Sequence, residues 1–391
     1  MNLKINSMKK FILLILTAFL MIQCQKKTTS EVEKQPETKL NMFEIPSKIV
    51  GADLSYINEI EDCGAFYQSG GKKVEPYQFF KDKGCNLVRL RLWHSPTSSP
   101  YSNFEDVERS IKRAKDAKIA VLLDFHYSDT WADPGRQDIP KAWAEIKDVA
   151  ILGDSLYQYT YNTLEKLLKK NLLPEMVQVG NETNSEIMQP ENTMSDTINW
   201  ERNAFLLQKG LKAVRDFSKK HVQKVEIMLH IAQPENALKW FATATEKGIK
   251  DYDWIGISYY PLWSEIKFDA LPKAIDSLVK TYQKKFVIVE TSYPHTLKNF
   301  DKANNILNEK SLLEGYEPTP EGQRKYLLDL TQITIKNGGA GVVYWEPAWV
   351  TSRCKTLWGD GSHWDNATLF DAFNNNEALI GFDFFDLKNY E

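Results

Sequence analysis

From residue 50 onward, short runs of β-branched and other apolar residues alternate with longer stretches in which apolar positions recur every three or four residues. The first pattern marks buried strands and the second amphipathic helices. Strands are predicted at 51–55, 87–93, 119–125, 176–179, 225–231, 254–260, 286–290 and 341–346, the first being the weakest. Helices are predicted at 75–83, closed by Gly84, and at 104–117, 155–170, 200–219, 235–248, 271–284 and 321–336. Strands separated by helices in this way point to an α/β fold, a single (β/α)8 barrel occupying residues 44–391. A doubly wound open sheet is the alternative, but that fold normally opens with a glycine-rich phosphate turn, and the sequence has none. A chain of 391 residues suits one barrel, for which about 250 is typical. The surplus falls in extended loops after strands three, four, seven and eight.

The N-terminus stands outside this alternation. Lys9 and Lys10 precede an apolar run, 11–22, that is short for a membrane span and of the size of a secretory signal, and Cys24 follows closely. Met21-Ile22-Gln23-Cys24 resembles a bacterial lipoprotein signal, which implies that residues 1–23 are a signal peptide cleaved to leave Cys24 as the lipidation site, ahead of plain secretion and of an uncleaved anchor. Residues 24–43 are polar and lack periodicity, as a flexible tether does. The expected location is outside the cytoplasm, lipid-anchored to a bacterial membrane on its periplasmic or its surface side. Cleavage removes three lysines and no acid, so the formal charge of −3 becomes −6. Such a chain is not built to hold nucleic acid, whereas a neutral polymer needs no strong field. Cys85, just before a strand, reads as a small buried apolar residue, while Cys63 and Cys354 fall in loops after strands and are able to pair.

The chemistry is concentrated at one end of the strands. In a β/α barrel, side chains at the C-terminal ends of strands point into the face where active sites lie. Strand four runs into Gly180-Asn181-Glu182, and strand seven ends in Glu290. A lone strand-end glutamate is most often an ion-pair or rim residue. Two of them on one rim form the arrangement that splits a glycosidic bond, one carboxyl kept protonated for the leaving oxygen and one kept ionised to attack or to activate water. Glu182, beside Asn181, fits the acid/base, and Glu290 fits the nucleophile. Arg89 and Arg91 alternate with leucine and share an inward face, where an arginine needs a partner. A nucleophilic carboxylate is a natural one, and either arginine is equally suited to stitching the barrel instead. His126 and His230 are placed to hold a sugar hydroxyl or orient a glutamate, with a satisfied core histidine equally open for each. Tyr260 suits a donor to the nucleophile and Trp345 a floor for the reacting sugar. Glu346, followed by Pro347 and not preceded by Asn, reads as structural.

Several motifs together resemble one family. They are Gly-Ala-Asp-Leu-Ser (51–55), Arg-Leu-Arg-Leu-Trp (89–93), Asp-Phe-His-Tyr-Ser-Asp-Thr-Trp-Ala-Asp-Pro-Gly (124–135) with Pro-Lys-Ala-Trp (140–143), and Val-Gln-Val-Gly-Asn-Glu (177–182). Further along come Gly-Ile-Ser-Tyr-Tyr-Pro (256–261), Val-Glu-Thr-Ser-Tyr-Pro (289–294), Tyr-Trp-Glu-Pro-Ala-Trp (344–349) and Trp-Asp-Asn (364–366). The set resembles glycoside hydrolase family 53, the endo-β-1,4-galactanases, within a large clan of retaining barrel enzymes. The Asn-Glu pair belongs to the whole clan, and the block 124–143 is the specific part. The resemblance implies a polysaccharide partner, the β-1,4-galactan of type I arabinogalactan, cleaved with retention by a monomer that needs no cofactor for the chemistry. It places Arg91, His126, Asn181, Tyr260 and Trp345 around the scissile bond and Asp129, Trp131 and Asp133 along the cleft. A mannanase or glucanase of the same clan and a non-catalytic glycan-binding lipoprotein are the alternatives. Two departures stand out. Gln189 replaces a family Trp, which removes a stacking position. The loop after strand seven, where relatives can hold structural Ca2+, has Ala303 at a ligand position and leaves Asp301 and Asn305 as candidate ligands.

Overall fold

The computed structural model describes residues 42–391 apart from 191, 192, 194–196, 354, 357 and 358. The signal segment, Cys24, the tether as far as residue 41 and Cys354 therefore lie outside the described residues. Parallel strands close into a barrel in chain order: β1 Ile49–Asp53, β2 Leu87–Leu92, β3 Ala120–Phe125, β4 Met176–Val179, β5 Glu226–Ala232, β6 Trp254–Ser258, β7 Lys285–Glu290 and β8 Gly341–Tyr344, with β8 bonded back to β1. Helices α1 Ile57–Asp62, α2 Pro76–Lys83, α3 Phe104–Asp116, α4 Val149–Lys169, α5 Trp200–His221, α6 Pro234–Glu246, α7 Leu271–Tyr282 and α8 Pro320–Lys336 cover the outside. Local chemistry sets their starts. Glu75, Asn103, Asp148, Asn199 and Thr319 each accept a first-turn N–H, and proline occupies the first turn of α2, α6, α7 and α8. Helix α4 begins at Val149, not at 155, because Asp148 accepts from Ala150 and Ile151 and draws the start forward. No α-helix follows β8 among the described residues. A 3-10 stretch, Ile380–Phe385, instead lays Phe382 and Phe385 against Phe80 of α2. Cys63 is disulfide-bonded and Cys85 is a free, buried thiol.

The barrel interior has two zones. Inward positions near the strand starts are apolar: Ile49, Leu87, Leu122, Met176, Met228, Trp254, Val287 and Val343 form a buried plug. Each such large side chain contributes roughly 1.5–3 kcal/mol by leaving water. Phe43 and Ile45 pack beneath it, and the Phe43 N–H bonds to Glu175 (2.7 Å), so the chain is fixed to the barrel from Phe43 onward. One or two inward steps further along the strands the lining turns polar, with Asp53, Arg89, Asp124, Gln178, His230, Ser258 and Glu290 all buried. Strand β7 reaches this zone through an irregularity. Ile257 of β6 pairs with Ile288, but Ser258 pairs with Glu290, so one residue is skipped. Val289 sits in the plug and Glu290 next to it also turns inward, which strict alternation forbids.

Candidate active site

Arg89 organises the polar zone. Its guanidinium, 1 % exposed, donates through Nη1 to Asp53 (2.8 Å) and Glu290 (2.7 Å), through Nη2 to Asp124 (2.8 Å) and Asn181 Oδ1 (2.6 Å), and through Nε to Gln178 (3.1 Å). Three carboxylates thus share one cation. Burial pushes the Glu290 carboxyl up to about 7, against the pull of Arg89 and with Asp53 and Asp124 adding to the rise. Asp124 behaves oppositely: burial acts to raise it, but Arg89 and His126 hold it below the usual carboxylate range. His126 donates from Nε2 to Asp124 (3.0 Å) and accepts at Nδ1 from the Trp93 indole (3.3 Å) and the Ala132 N–H (3.2 Å). Both ring nitrogens are therefore committed to the protein. The Tyr260 hydroxyl donates to the second oxygen of Glu290 (3.3 Å).

Glu182 is delivered by a tight turn at the end of β4. Gly180 takes φ +84° and Glu182 itself φ +42°, a conformation rare for a side-chain-bearing residue. The turn is bolted to β5, because Asn184 exchanges two hydrogen bonds with the Ala232 backbone (2.7 and 2.9 Å) and the Thr183 N–H bonds to the His230 carbonyl (3.0 Å). The Glu182 carboxyl meets Ser258 Oγ at 2.5 Å. Burial raises its pKa well above the usual carboxyl range, and the negative charge of Glu290 raises it further. Glu290 therefore gives up its proton first, and the two acids are split into one ionised and one protonated form. Both open onto a cleft of about 500 Å³ walled by Trp131, Trp263, Trp345, Trp349, Trp364 and Tyr260. Its two cations, Arg89 and Arg91, are buried in ion pairs. Aromatic faces over a pair of carboxyls suit a neutral, ring-shaped polyhydroxyl ligand.

Residues 49–385 match the sequence model of glycosyl hydrolase family 53. The chain belongs to that family. The arabinogalactan endo-β-1,4-galactanase of Cellvibrio japonicus (strain Ueda107) is 58% identical over 337 residues, 86% of this chain and 90% of that protein. The endo-β-1,4-galactanase of Bacillus subtilis (strain 168) is 34% identical, over 81% of this chain and 75% of its own. Among solved structures, the family 53 catalytic domain of Ignisphaera aggregans superposes with a TM-score of 0.79 at 30% identity, covering 90% of this chain and 99% of that one.

Within this family 53 barrel, Glu182, Glu290, Arg91, His126, Trp131, Asp133, Asn181, Tyr260 and Trp345 all line the one cleft. Two of them, Arg91 and Asn181, are held by partners within the protein. The arginine on the nucleophile is Arg89. Arg91 reaches Glu346 (3.3 Å) and Ser102 (3.1 Å) and lies 4.2 Å from the Trp131 ring, so it props the aromatic wall. The Asn181 amide is spent on Arg89 and on the Ala132 carbonyl (2.7 Å). Glu346 is fully buried against Arg91 and the Tyr56 N–H, in keeping with a structural role.

Of the residues expected along the cleft, Asp129 is not among its lining. Asp129 accepts from the backbone of Ser95 and of Lys141 (2.8 Å each), stapling the loops after β2 and β3. Asp129→Ala is expected to cost about 1–3 kcal/mol in chemical denaturation, the range for losing charge-assisted hydrogen bonds, while kcat changes little. Gln189 is buried and bridged to Asp138, so it takes no part in the cleft wall. Asp301 accepts from Ala303 N–H (2.7 Å), Ser362 N–H (2.7 Å) and Thr351 Oγ1 (2.5 Å), and Asn305 donates its amide to Asp365 (2.8 Å). Ca2+ takes six to eight oxygens. Asp301 is spent on the chain's own donors, while Asn305 donates its amide to Asp365 and keeps its Oδ1 buried without a partner among the described residues, so these two candidates together offer far fewer oxygens than such a cage takes.

Proposed function

We propose that the chain is an endo-β-1,4-galactanase that cleaves the galactan of type I arabinogalactan with retention, Glu182 acting as acid/base and Glu290 as nucleophile. The observation that carries this reading is the pair of strand-end carboxyls that open onto one aromatic cleft, Glu290 held on Arg89 and Glu182 against Ser258. Ionised Glu290, steadied by Arg89, attacks the anomeric carbon while Glu182 protonates the departing glycosidic oxygen. Water then enters, gives a proton to Glu182 and releases the sugar from Glu290. The chemistry calls for no cofactor. The names of the relatives favour galactan over mannan or glucan as substrate. The reading extends to an exported monomer held on a bacterial membrane by a lipid on Cys24. The direct test is incubation with linear β-1,4-galactan, β-mannan and β-glucan. Short galactose oligomers from galactan alone are expected, and cleavage of mannan or glucan instead would overturn the substrate assignment.

Glu182→Ala is expected to lower kcat/KM on galactan by about 10²–10⁴-fold, the range for general acid–base catalysis. An aryl galactoside with a good leaving group, which needs no proton, should lose far less in its first step. The pH profile of the wild type should be bell-shaped. Protonation of Glu290 removes the nucleophile as pH falls through about 7, and ionisation of Glu182, whose pKa lies higher, removes the acid as pH rises. Glu182→Gln should abolish the alkaline limb, and a limb that persists in that variant would assign it to another group.

A further inference from the structure

The acid/base carboxyl is backed by a hydrogen-bonded chain running into the barrel. Glu182 Oε1 lies 2.5 Å from Ser258 Oγ, Ser258 Oγ lies 2.9 Å from His230 Nε2, and His230 Nδ1 lies 3.0 Å from Asn181 Oδ1. Ser258 and His230 are wholly inaccessible to solvent. Resting on the reading of Glu182 as the acid, we propose that Ser258 and His230 are positioning residues that keep Glu182 in its protonated form, the Ser258 hydroxyl donating to His230 and accepting the proton of Glu182.

The direction of the chain is fixed from its inner end. Asn181 Oδ1 receives Arg89 Nη2 at 2.6 Å, and the amide nitrogen of the same side chain donates to the Ala132 carbonyl at 2.7 Å, so Oδ1 is an acceptor. A bare ring nitrogen facing it at 3.0 Å would be repelled; Nδ1 therefore carries the hydrogen. The groups able to donate into Nδ1 are farther away than the Asn181 oxygen. Gln178 Nε2 is at 3.2 Å and has closer calls on its hydrogens from Asp124 (2.6 Å) and the Gly180 carbonyl (3.1 Å), and the Glu182 N–H is at 3.4 Å. Burial, with Arg89 and His126 nearby, keeps the ring neutral. A neutral imidazole has one N–H, so Nε2 is an acceptor and takes the hydroxyl hydrogen of Ser258. Ser258 then shows Glu182 only a lone pair. That contact is satisfied when Glu182 supplies the hydrogen.

Ionising Glu182 draws the Ser258 hydrogen away from His230 and leaves a buried ring nitrogen without a donor, which is unfavourable. The other groups around Glu182 act by charge alone. Glu290 from β7 and Asp133 from the loop after β3 favour the neutral acid, and Arg89 from β2 favours the ionised form. During the reaction the proton of Glu182 goes to the leaving oxygen and Ser258 rotates toward the new carboxylate. When water returns a proton to Glu182, Ser258 rotates back. The hydrogen on His230 Nδ1 stays in place throughout, and no net proton passes down the chain.

A hydroxyl that merely donates to a carboxylate makes the opposite prediction, so the sign is decisive. In Ser258→Ala the alkaline limb of kcat/KM on galactan should move to lower pH by about one unit, a tenfold change in the ionisation constant. In the ¹⁵N-labelled wild-type enzyme, below that limb, two-bond ¹H–¹⁵N couplings should show His230 as the Nδ1–H tautomer. An unmoved or raised limb in Ser258→Ala, or an Nε2–H tautomer, would overturn this proposal alone. Undiminished galactan cleavage by Glu182→Ala would overturn the acid assignment, and the proposal with it. Should Ser258→Ala fail to fold, the tautomer of the wild-type ring decides by itself.

Discussion

Glu290→Ala lowers kcat on galactan by at least about 10⁵-fold, the scale on which loss of a covalent nucleophile registers. The variant folds normally. Its stability should hold because the partner left behind is not orphaned: Arg89 keeps Asp53 and Asp124, each at 2.8 Å. Removing one of three acids from a single guanidinium even relieves crowding, since burial and the neighbouring carboxylates push Glu290 up to about 7. The check is kcat beside the thermal midpoint. Activity lost with an unchanged midpoint supports the assignment, whereas a collapsed midpoint would place Glu290 in the framework. Added azide should restore turnover of an activated galactoside and give the α-galactosyl azide, because the small anion attacks from the face that the carboxylate vacated.

Arg89→Met should have the largest effect on stability, a loss of about 3–5 kcal/mol, the range for removing one partner of a buried ion pair. Asp53, Asp124 and Glu290 would remain together with no cation. The loss should depend on pH with a definite sign. Asp124 is held below the ordinary carboxylate range by Arg89 and His126, so its pairing adds stability above its unfolded pKa and loses it as pH falls through the lower folded value. Without Arg89 that contribution disappears. Denaturation at pH 7 and at a pH below the folded value of Asp124 should therefore show a larger deficit at pH 7. The acid limb of activity should also climb, because Arg89 is what lowers Glu290. An equal deficit at both pH values would mean that the arginine contributes packing and not charge.

Much of this is legible in the amino-acid sequence. The alternation of strand-like and helix-like stretches gives the barrel, and glutamates ending strands four and seven give the pair, because strand ends converge on one face whatever the loops do. What stayed hidden depends on register and on loop closure. Arg89 and Arg91 have the same parity, and only the pairing of β1 with β2, which sets Asp53 beside Arg89, puts the lower of the two in the carboxylate cluster. Inward placement of Glu290 beside Val289 needs the skipped residue opposite Ser258, which no hydrophobic pattern announces. Asp129 looks like its neighbour Asp133 in sequence, yet the loop folds back so that it caps two backbone N–H groups. Ser258 carried a usable signal, since it shares parity with Tyr260 at the end of β6. The role of Gln189 turned on how the loop after β4 bridges to Asp138.

The configuration of the first product tests the pair most directly. Linear β-1,4-galacto-oligosaccharide is cleaved in the magnet and the anomeric protons are followed by ¹H NMR from the first seconds. A covalent intermediate on Glu290 predicts that the new reducing end appears as the β-anomer, the α-signal growing only later as mutarotation proceeds. Initial release of the α-anomer would mean a single inverting displacement by water and would contradict Glu290 as the nucleophile.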